Sequence, residues 1–364
     1  MAGEHINVLG SVIAVELPAQ DRARIRAQWS RCMAFPGSAA VSSVTYSTQD
    51  DVDRRDYALA SALTLAGIQH AAGTRLMLHA AGVADPASGA VAALIAASGT
   101  GKTTAAHRLC REGFGYVTDE TVSIGADHGV LPYPKPLSLV IDGDSPHHKS
   151  QHGPDELGLA ACPPDPHAAL FVLLDRAGDG PAEPALEQLP LLDGLLELIP
   201  QSSALPAMAR PLWSLATAVH TAGGVWRLRY REIADVAPLL RDALCGHRAD
   251  PSDIAQPTPA RPDDRPGRPV ASDATQRLTA GSLVTRAPYL DAVCIDDEVL
   301  VLVERRPARL SGLGSTIWRH SARPTAVGEL TRRCIDEHGD HEAADRLVTD
   351  AVSALIEHTV LQLA

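Results

Sequence analysis

An apolar hexapeptide, Ala90-Val-Ala-Ala-Leu-Ile95, runs directly into Ala96-Ala-Ser-Gly-Thr-Gly-Lys-Thr-Thr104, and from Thr104 to Cys110 the spacing is helical. Nothing else in the 364 residues restricts the fold as tightly. A buried strand, a glycine-bearing loop and a helix in immediate succession are the parts of a nucleotide-binding α/β unit. Gly99 and Gly101 let the backbone curl so that successive N–H groups converge, and a helix starting near Lys102 adds the positive end of its dipole. Ser98, Gly99, Thr100, Gly101, Lys102, Thr103 and Thr104 are therefore expected to cradle phosphate. Lys102 would reach the β- and γ-phosphates of ATP, and Thr103 would offer its hydroxyl to Mg2+. Ala96 stands where the strict pattern has its first glycine, which a residue with negative φ accommodates.

The rest of the composition narrows the partners. A formal charge of −12 disfavours nucleic acid and anionic lipid, since both require a basic surface. No run reaches the length of a membrane span and no basic-then-apolar leader opens the chain, so a cytoplasmic protein is expected. The six cysteines form no CxxC pair, which argues for buried thiols rather than a zinc site or a disulfide framework. Among the 15 histidines only His147 and His148 are adjacent, a spacing that does not build a metal cluster.

After Cys245 the chain turns polar and rich in Pro, Asp and Arg, and a segment that cannot bury apolar surface reads as a flexible linker. Four parts follow: an N-terminal α/β segment over 1–74 packed on the core, a phosphate-loop domain over 75–245, the linker over 246–276, and a small module over 277–364. In the large part, strands are expected at His5–Leu17, Arg75–Ala84, Ala90–Ile95, Gly113–Thr118, Leu137–Ile141 and Ala169–Leu174. Helices are expected at Asp21–Met33, Arg54–Ala72, Leu191–Leu198 and Leu212–Ala222. The mixture predicts an α/β fold with helices covering a sheet.

Seventeen residues beyond Lys102, at the C-terminal end of a predicted strand, stand Asp119 and Glu120, at the edge where ligands of open α/β sheets gather. Phosphoryl transfer needs charge neutralisation and a carboxylate that accepts the hydroxyl proton. Asp119 is the expected base and Glu120 the expected Mg2+ ligand, with a hydrolytic ATPase's acid pair as the alternative. His79, before the loop strand, would hold or tune Asp119. Lys135, fixed in extended backbone by flanking prolines, together with Arg176 and Arg229, is a candidate to touch phosphate or substrate, each also open to an ordinary surface role.

His79, Ser98-Gly-Thr-Gly-Lys-Thr-Thr104, Arg111-Glu-Gly-Phe114 and Val117-Thr-Asp-Glu120 resemble, in order and spacing, the HPr kinase family, which shares a fold with phosphoenolpyruvate carboxykinase. The resemblance covers residues 75–125. It implies serine phosphorylation by ATP, with a histidine before the loop and the first acid of the pair as catalytic base, which matches His79 and Asp119. Glu120 replaces the second aspartate of better-known members. The later glycine-rich signature is missing, so neither HPr as substrate nor the reverse reaction is carried over. Relatives of this domain form rings, and a homo-oligomer stays open.

In the small module, strands are expected at Leu283–Arg286, Ala292–Ile295 and Val299–Glu304. Helices are expected at Ser315–His320, Thr325–Glu337 and Glu342–His358, an α+β, winged-helix-like arrangement. Leu313-Gly-Ser-Thr-Ile-Trp318, the Thr325-to-Leu330 segment and the Val352-to-Leu363 ending resemble PqqD-like domains, which accompany peptide-modifying enzymes and bind a precursor's leader as an added strand. That resemblance implies a leader on the Val299–Glu304 edge; a dimerisation or regulatory winged helix is the alternative. Together the readings predict an ATP- and Mg2+-dependent kinase of a hydroxyl, serine foremost, on a ribosomally made precursor peptide. A kinase of a metabolite such as free serine and a non-kinase ATP-binding peptide chaperone are the competing readings.

Overall fold

The computed structural model describes residues 2–47, 51–97, 99–140, 149–176, 178, 183–245, 255–259 and 278–364. It is a mixed α/β structure in two compact units, Met1–Met208 with Ala218–Ile254, and Ala209–Thr217 with Ala255–Ala364.

The first unit opens with a hairpin, β1 (Ala2–Val8) and β2 (Ser11–Leu17), in place of the single strand expected over His5–Leu17. The turn falls at Leu9 and Gly10, both at positive φ, a two-residue connection whose twist suits antiparallel strands. Helix α1 (Ala19–Gln28), strand β3 (Ser42–Thr45) and helix α2 (Val52–Ala71) complete this layer. Asp51 caps α2 by accepting from the Asp53 and Arg54 amides. Ile6, Val8, Ile13, Val15, Ile25, Leu59 and Leu63 close into one core that also takes in Met77 and Tyr133.

Next come β4 (Leu76–Ala84), β5 (Ala90–Ile95), α3 (Lys102–Arg111), β6 (Gly115–Thr118), β7 (Thr121–Ile124), β8 (Val130–Leu131), β9 (Leu137–Val140), β10 (Lys149–His152) and β11 (His167–Arg176). They are followed by β12 (Ala185–Leu189), α4 (Leu191–Leu198), β13 (Ser202–Ser203), α5 (Pro211–Thr221), β14 (Val225–Tyr230) and α6 (Ala237–Cys245). The main sheet runs β12-β14-β11-β5-β4-β7-β8, with β6 and β13 also on β4. β5, β11 and β14 are parallel to one another and β4 is antiparallel to β5. Ala90, Ala92 and Leu94 of β5 face Leu109 of α3 and Leu240 of α6 in one core. β5 is buried at every position, as a strand covered on both faces must be.

β6 and β7 share one edge of β4. Gly82–Ala84 pair with β6 and Leu76–His79 pair with β7, so the bend between them, Asp119-Glu120, sits beside the middle of β4. Gly115 opens β6 where a Cβ would stand 2.7 Å from the Ala161 carbonyl oxygen and 2.9 Å from Pro163. Backbone cannot yield as a side chain does, so Gly115→Ala is expected to destabilise the first unit by about 1–3 kcal/mol. A urea melt with an unchanged midpoint would count against this packing.

The second unit contains β15 (Thr258–Pro259), β16 (Leu283–Arg286), β17 (Asp291–Ile295), β18 (Glu298–Val303), β19 (Arg306–Leu310), α7 (Gly312–His320), β20 (Thr325–Ala326), α8 (Val327–His338), α9 (Ala344–Glu357) and β21 (Leu361–Leu363). Val299, Val301, Ile317, Trp318, Leu330, Val348 and Val352 form its core. Arg286 lies over the Trp318 ring, 3.6 Å from its centroid, and donates to the Trp318 and Arg319 carbonyls at the end of α7.

One expectation is corrected here. Val299–Glu304 was expected to be an edge, but β18 is paired on both sides, with β17 and with β19, a strand not anticipated in Arg306-Pro-Ala-Arg-Leu310. Among the described residues the flank beyond β18 therefore belongs to β19. Of the linker over 246–276 only 255–259 lie among the described residues, and there Thr258 and Pro259 run extended beside Cys294 and Val293 of β17.

Candidate functional site: a cleft at the glycine loop

Ile95 ends β5 and Lys102 begins α3, and between them Gly99 and Gly101 adopt φ of +83° and +95°. A Cβ on either glycine would meet nothing within 4 Å, so the loop backbone is open on that side to a ligand. The first intrahelical bond runs from the Ala105 amide to the Gly101 carbonyl. The amides of Lys102, Thr103 and Thr104 precede it and have no acceptor inside the helix, the arrangement that attracts anions. Ser98 lies outside the described residues.

Lys102 is 7% exposed, and its ammonium donates to the carbonyls of Ala96 at 2.7 Å and Ala97 at 3.0 Å. Burial pushes its pKa below the ordinary lysine value. Thr103, one residue on, donates its hydroxyl to Asp119 Oδ2 at 2.9 Å.

Asp119 and Glu120 are bound from below by Lys135. Its Nζ stands 2.8 Å from Asp119 Oδ1, 3.2 Å from Glu120 Oε2 and 2.9 Å from the Pro136 carbonyl, and the residue is 1% exposed. Burial alone would lower the Lys135 pKa, but the two carboxylates hold it above the usual lysine range. The Tyr116 hydroxyl lies 3.1 Å from both Asp119 Oδ1 and the Lys135 carbonyl. Burial, with Asp119 alongside, pushes the Tyr116 pKa well up, so this phenol stays a donor. Lys135 thus sits beneath the acid pair rather than reaching for phosphate.

His79 is in β4 opposite Thr121. The Ala80 amide, next in β4, donates to the Glu120 carbonyl at 3.1 Å, and Lys102, Glu120 and Asp119 all act on the His79 imidazole. His79 thus lies within electrostatic reach of Asp119, and the bend between β6 and β7 turns the Glu120 carbonyl toward β4. Burial and the nearby Lys102 lower the His79 pKa, so the imidazole is neutral at pH 7.

These groups open on one cavity of about 1120 Å³. Gly99, Gly101, Lys102, Thr103, Thr104, His79, Asp119, Glu120 and Lys135 line it. So do Arg54, Tyr57, Ala58 and Ser61 of α2, with Ser138, Leu139, Val140 and Lys149. The α2 residues recur at helical spacing, a signal present in the sequence. Lys149 comes to the cavity only through the fold, its Nζ 6.0 Å from the Tyr57 ring centroid. Among the described lining residues, Arg54, Lys102, Lys135 and Lys149 outnumber the acids Asp119 and Glu120, with Arg54 also 3.5 Å from Asp51, in a chain of formal charge −12. The cleft concentrates positive charge on an otherwise acidic molecule, and such a cleft focuses its field on anionic ligands.

Arg176 and Arg229 do not join the cleft. Arg176 pairs with Glu232 at 3.3 Å and donates to the Arg231 carbonyl, and Arg229 pairs with Asp175 at 3.7 Å and Glu187 at 3.5 Å. Both side chains are more than half exposed, where ion pairs contribute little. They stand on neighbouring parallel strands, β11 and β14, among the acids of their own surface.

The Thr103 hydroxyl and the two carboxylates are hard oxygen donors, a set that suits Mg2+. Among the described residues no group of three or more His, Cys, Asp or Glu could hold a metal. A cation here would complete its shell with phosphate oxygens and water, as Mg2+ does beside nucleotides. No helix among the described residues is long and apolar enough to cross a membrane. Against models of known protein families and against curated proteins, the chain gives no match.

Proposed function

We propose that this chain is an ATP- and Mg2+-dependent kinase that phosphorylates a hydroxyl, serine foremost, of a precursor peptide. In this reading the first unit is a phosphate-loop kinase core of the HPr kinase type and the second a PqqD-like winged helix that captures the leader. The observation that carries it is the Thr103–Asp119 hydrogen bond of 2.9 Å, which joins the loop to the acid pair in a cleft that also holds Lys102 and Glu120.

The chemistry follows from what these groups can hold. Loop amides and Lys102 would take the phosphates, Lys102 exchanging two carbonyl acceptors for phosphate oxygens. Thr103, hydrogen-bonded to Asp119, would hold Mg2+, which supplies charge neutralisation at the transferring group. Arg54, Tyr57 and Lys149 also line the cavity and are candidates to hold an acceptor there. A leader strand added along the open flank of β19 would raise the local concentration of the attached acceptor segment.

The test is mass spectrometry of serine-containing precursor peptides, and of free serine, incubated with the full chain, ATP and Mg2+. One added phosphate on a peptide, lost when Asp119→Asn and Glu120→Gln are combined and reduced by excess leader supplied separately, is the expected result. Phosphorylation of free serine that is indifferent to the leader would favour the metabolite kinase. Slow hydrolysis with no phosphorylated product would favour the chaperone.

A further inference from the structure

We infer that Glu120 is the carboxylate that takes the acceptor's proton, and that Asp119 serves the metal side of the site through Thr103. This exchanges the roles implied by the family resemblance, and it rests on the kinase reading above.

Asp119 is already committed. It is 4% exposed; Oδ1 meets Lys135 Nζ at 2.8 Å and the Tyr116 hydroxyl at 3.1 Å, and Oδ2 accepts from Thr103 at 2.9 Å. To meet an incoming alcohol it would have to leave a buried ion pair, a costly move. What it does do is take the Thr103 hydroxyl hydrogen. That leaves the Thr103 oxygen lone pairs turned outward for a cation, the service an outer partner performs for a metal ligand.

Glu120 is placed for the other task. Its side chain is 33% exposed, its Oε2 stands 3.2 Å from Lys135, and its Oε1 accepts no hydrogen bond among the described residues. The backbone beneath it is fixed from β4, by the Ala80 amide donating to the Glu120 carbonyl at 3.1 Å. A pinned main chain carrying a carboxylate that reaches the cavity is a pre-oriented base. In the step, the acceptor oxygen bonds to the γ-phosphorus while the bond from that phosphorus to the β–γ bridging oxygen breaks. The bonding pair leaves on ADP, and the hydroxyl proton passes to Glu120 and later to solvent. Lys135, shared by both acids, is a positioning residue that keeps them apart in fixed orientations.

The two roles separate by binding and turnover in the full chain. Affinity for ATP is measured with Mg2+ and again in EDTA, and turnover is read as phosphorylated product from pooled serine peptides and as phosphate released to water. Glu120→Gln is expected to bind Mg2+·ATP within about threefold of wild type while turnover falls about 10²–10⁴-fold. Asp119→Asn and Thr103→Val are each expected to cut the Mg2+-dependent gain in ATP affinity by about 10–100-fold, leaving binding in EDTA unchanged. Should Asp119→Asn fail to fold in a thermal melt, Thr103→Val carries the metal arm alone. The assignment is overturned if Glu120→Gln turns over like wild type, or if it abolishes the Mg2+ gain while Asp119→Asn keeps it. A wild type that binds Mg2+·ATP yet yields neither product nor phosphate sinks the kinase reading itself.

Discussion

Lys102→Ala is expected to reduce phosphoryl transfer from ATP by about 10²–10³-fold, the loss typical of removing one preorganised donor from a developing oxyanion. The structure explains why the fold should survive. The ammonium's partners are the Ala96 and Ala97 carbonyls in the loop, not the core, and water can replace it there. Each of these charge-assisted contacts contributes about 1.5–3 kcal/mol, and the cost of burying the ammonium, which lowers its pKa, offsets much of that. Arginine is not expected to rescue, because a planar fork cannot occupy a pocket shaped for a point charge. Steady-state kinetics beside a denaturation curve checks both halves: a large loss in turnover with a near-native midpoint. Equal losses in both would assign Lys102 to structure.

Lys135→Met is expected to act the other way round, on stability first. Removing one partner of a buried ion pair leaves an uncompensated buried charge, a change that costs about 3–5 kcal/mol. Here two carboxylates are abandoned at once, Asp119 at 2.8 Å and Glu120 at 3.2 Å. Against a total stability of about 5–15 kcal/mol for a native protein, that loss alone could unfold much of the first unit. Adding Asp119→Asn and Glu120→Gln to Lys135→Met is expected to restore most of the stability but none of the activity, which urea melts and phosphate release measure separately. A Lys135→Met midpoint equal to wild type would refute the ion-pair account. The pH sign follows from the raised Lys135 pKa. Its contribution is fully present below the free lysine value and is lost only as pH climbs through the folded one, in strong alkali.

The loop was legible because three independent signals coincide within fifteen residues: an unbroken apolar strand, two glycines that need positive φ, and a helix start. α2 was legible as a run rich in Ala and Leu that ends at Gly73, and α4 as the leucine-rich run just after Pro190. What escaped depended on partners distant in the chain. β7 is four residues long and gains its identity from pairing with Leu76–His79. In β14, Arg229 invited a search for phosphate ligands, whereas the alternation Val225-Trp-Arg-Leu-Arg-Tyr230 is that of a strand with one face outward. Lys135 read as a free cation because nothing near it in sequence announces that it will be buried under residues sixteen positions earlier. Val299-Leu-Val-Leu-Val303 carried its own warning. A run buried end to end marks an interior strand, while the proline and arginines of Arg306–Leu310 mark a flank.

The four-stranded sheet of the second unit has a proline in each of its outermost strands, Pro259 in β15 and Pro307 in β19. A proline brings no N–H to a ladder, and Arg306 and Arg309 add charge on the β19 side. One short strand can still be accepted there, but copies of this sheet stacked flank to flank would meet a broken ladder at every junction, which disfavours endless growth along it.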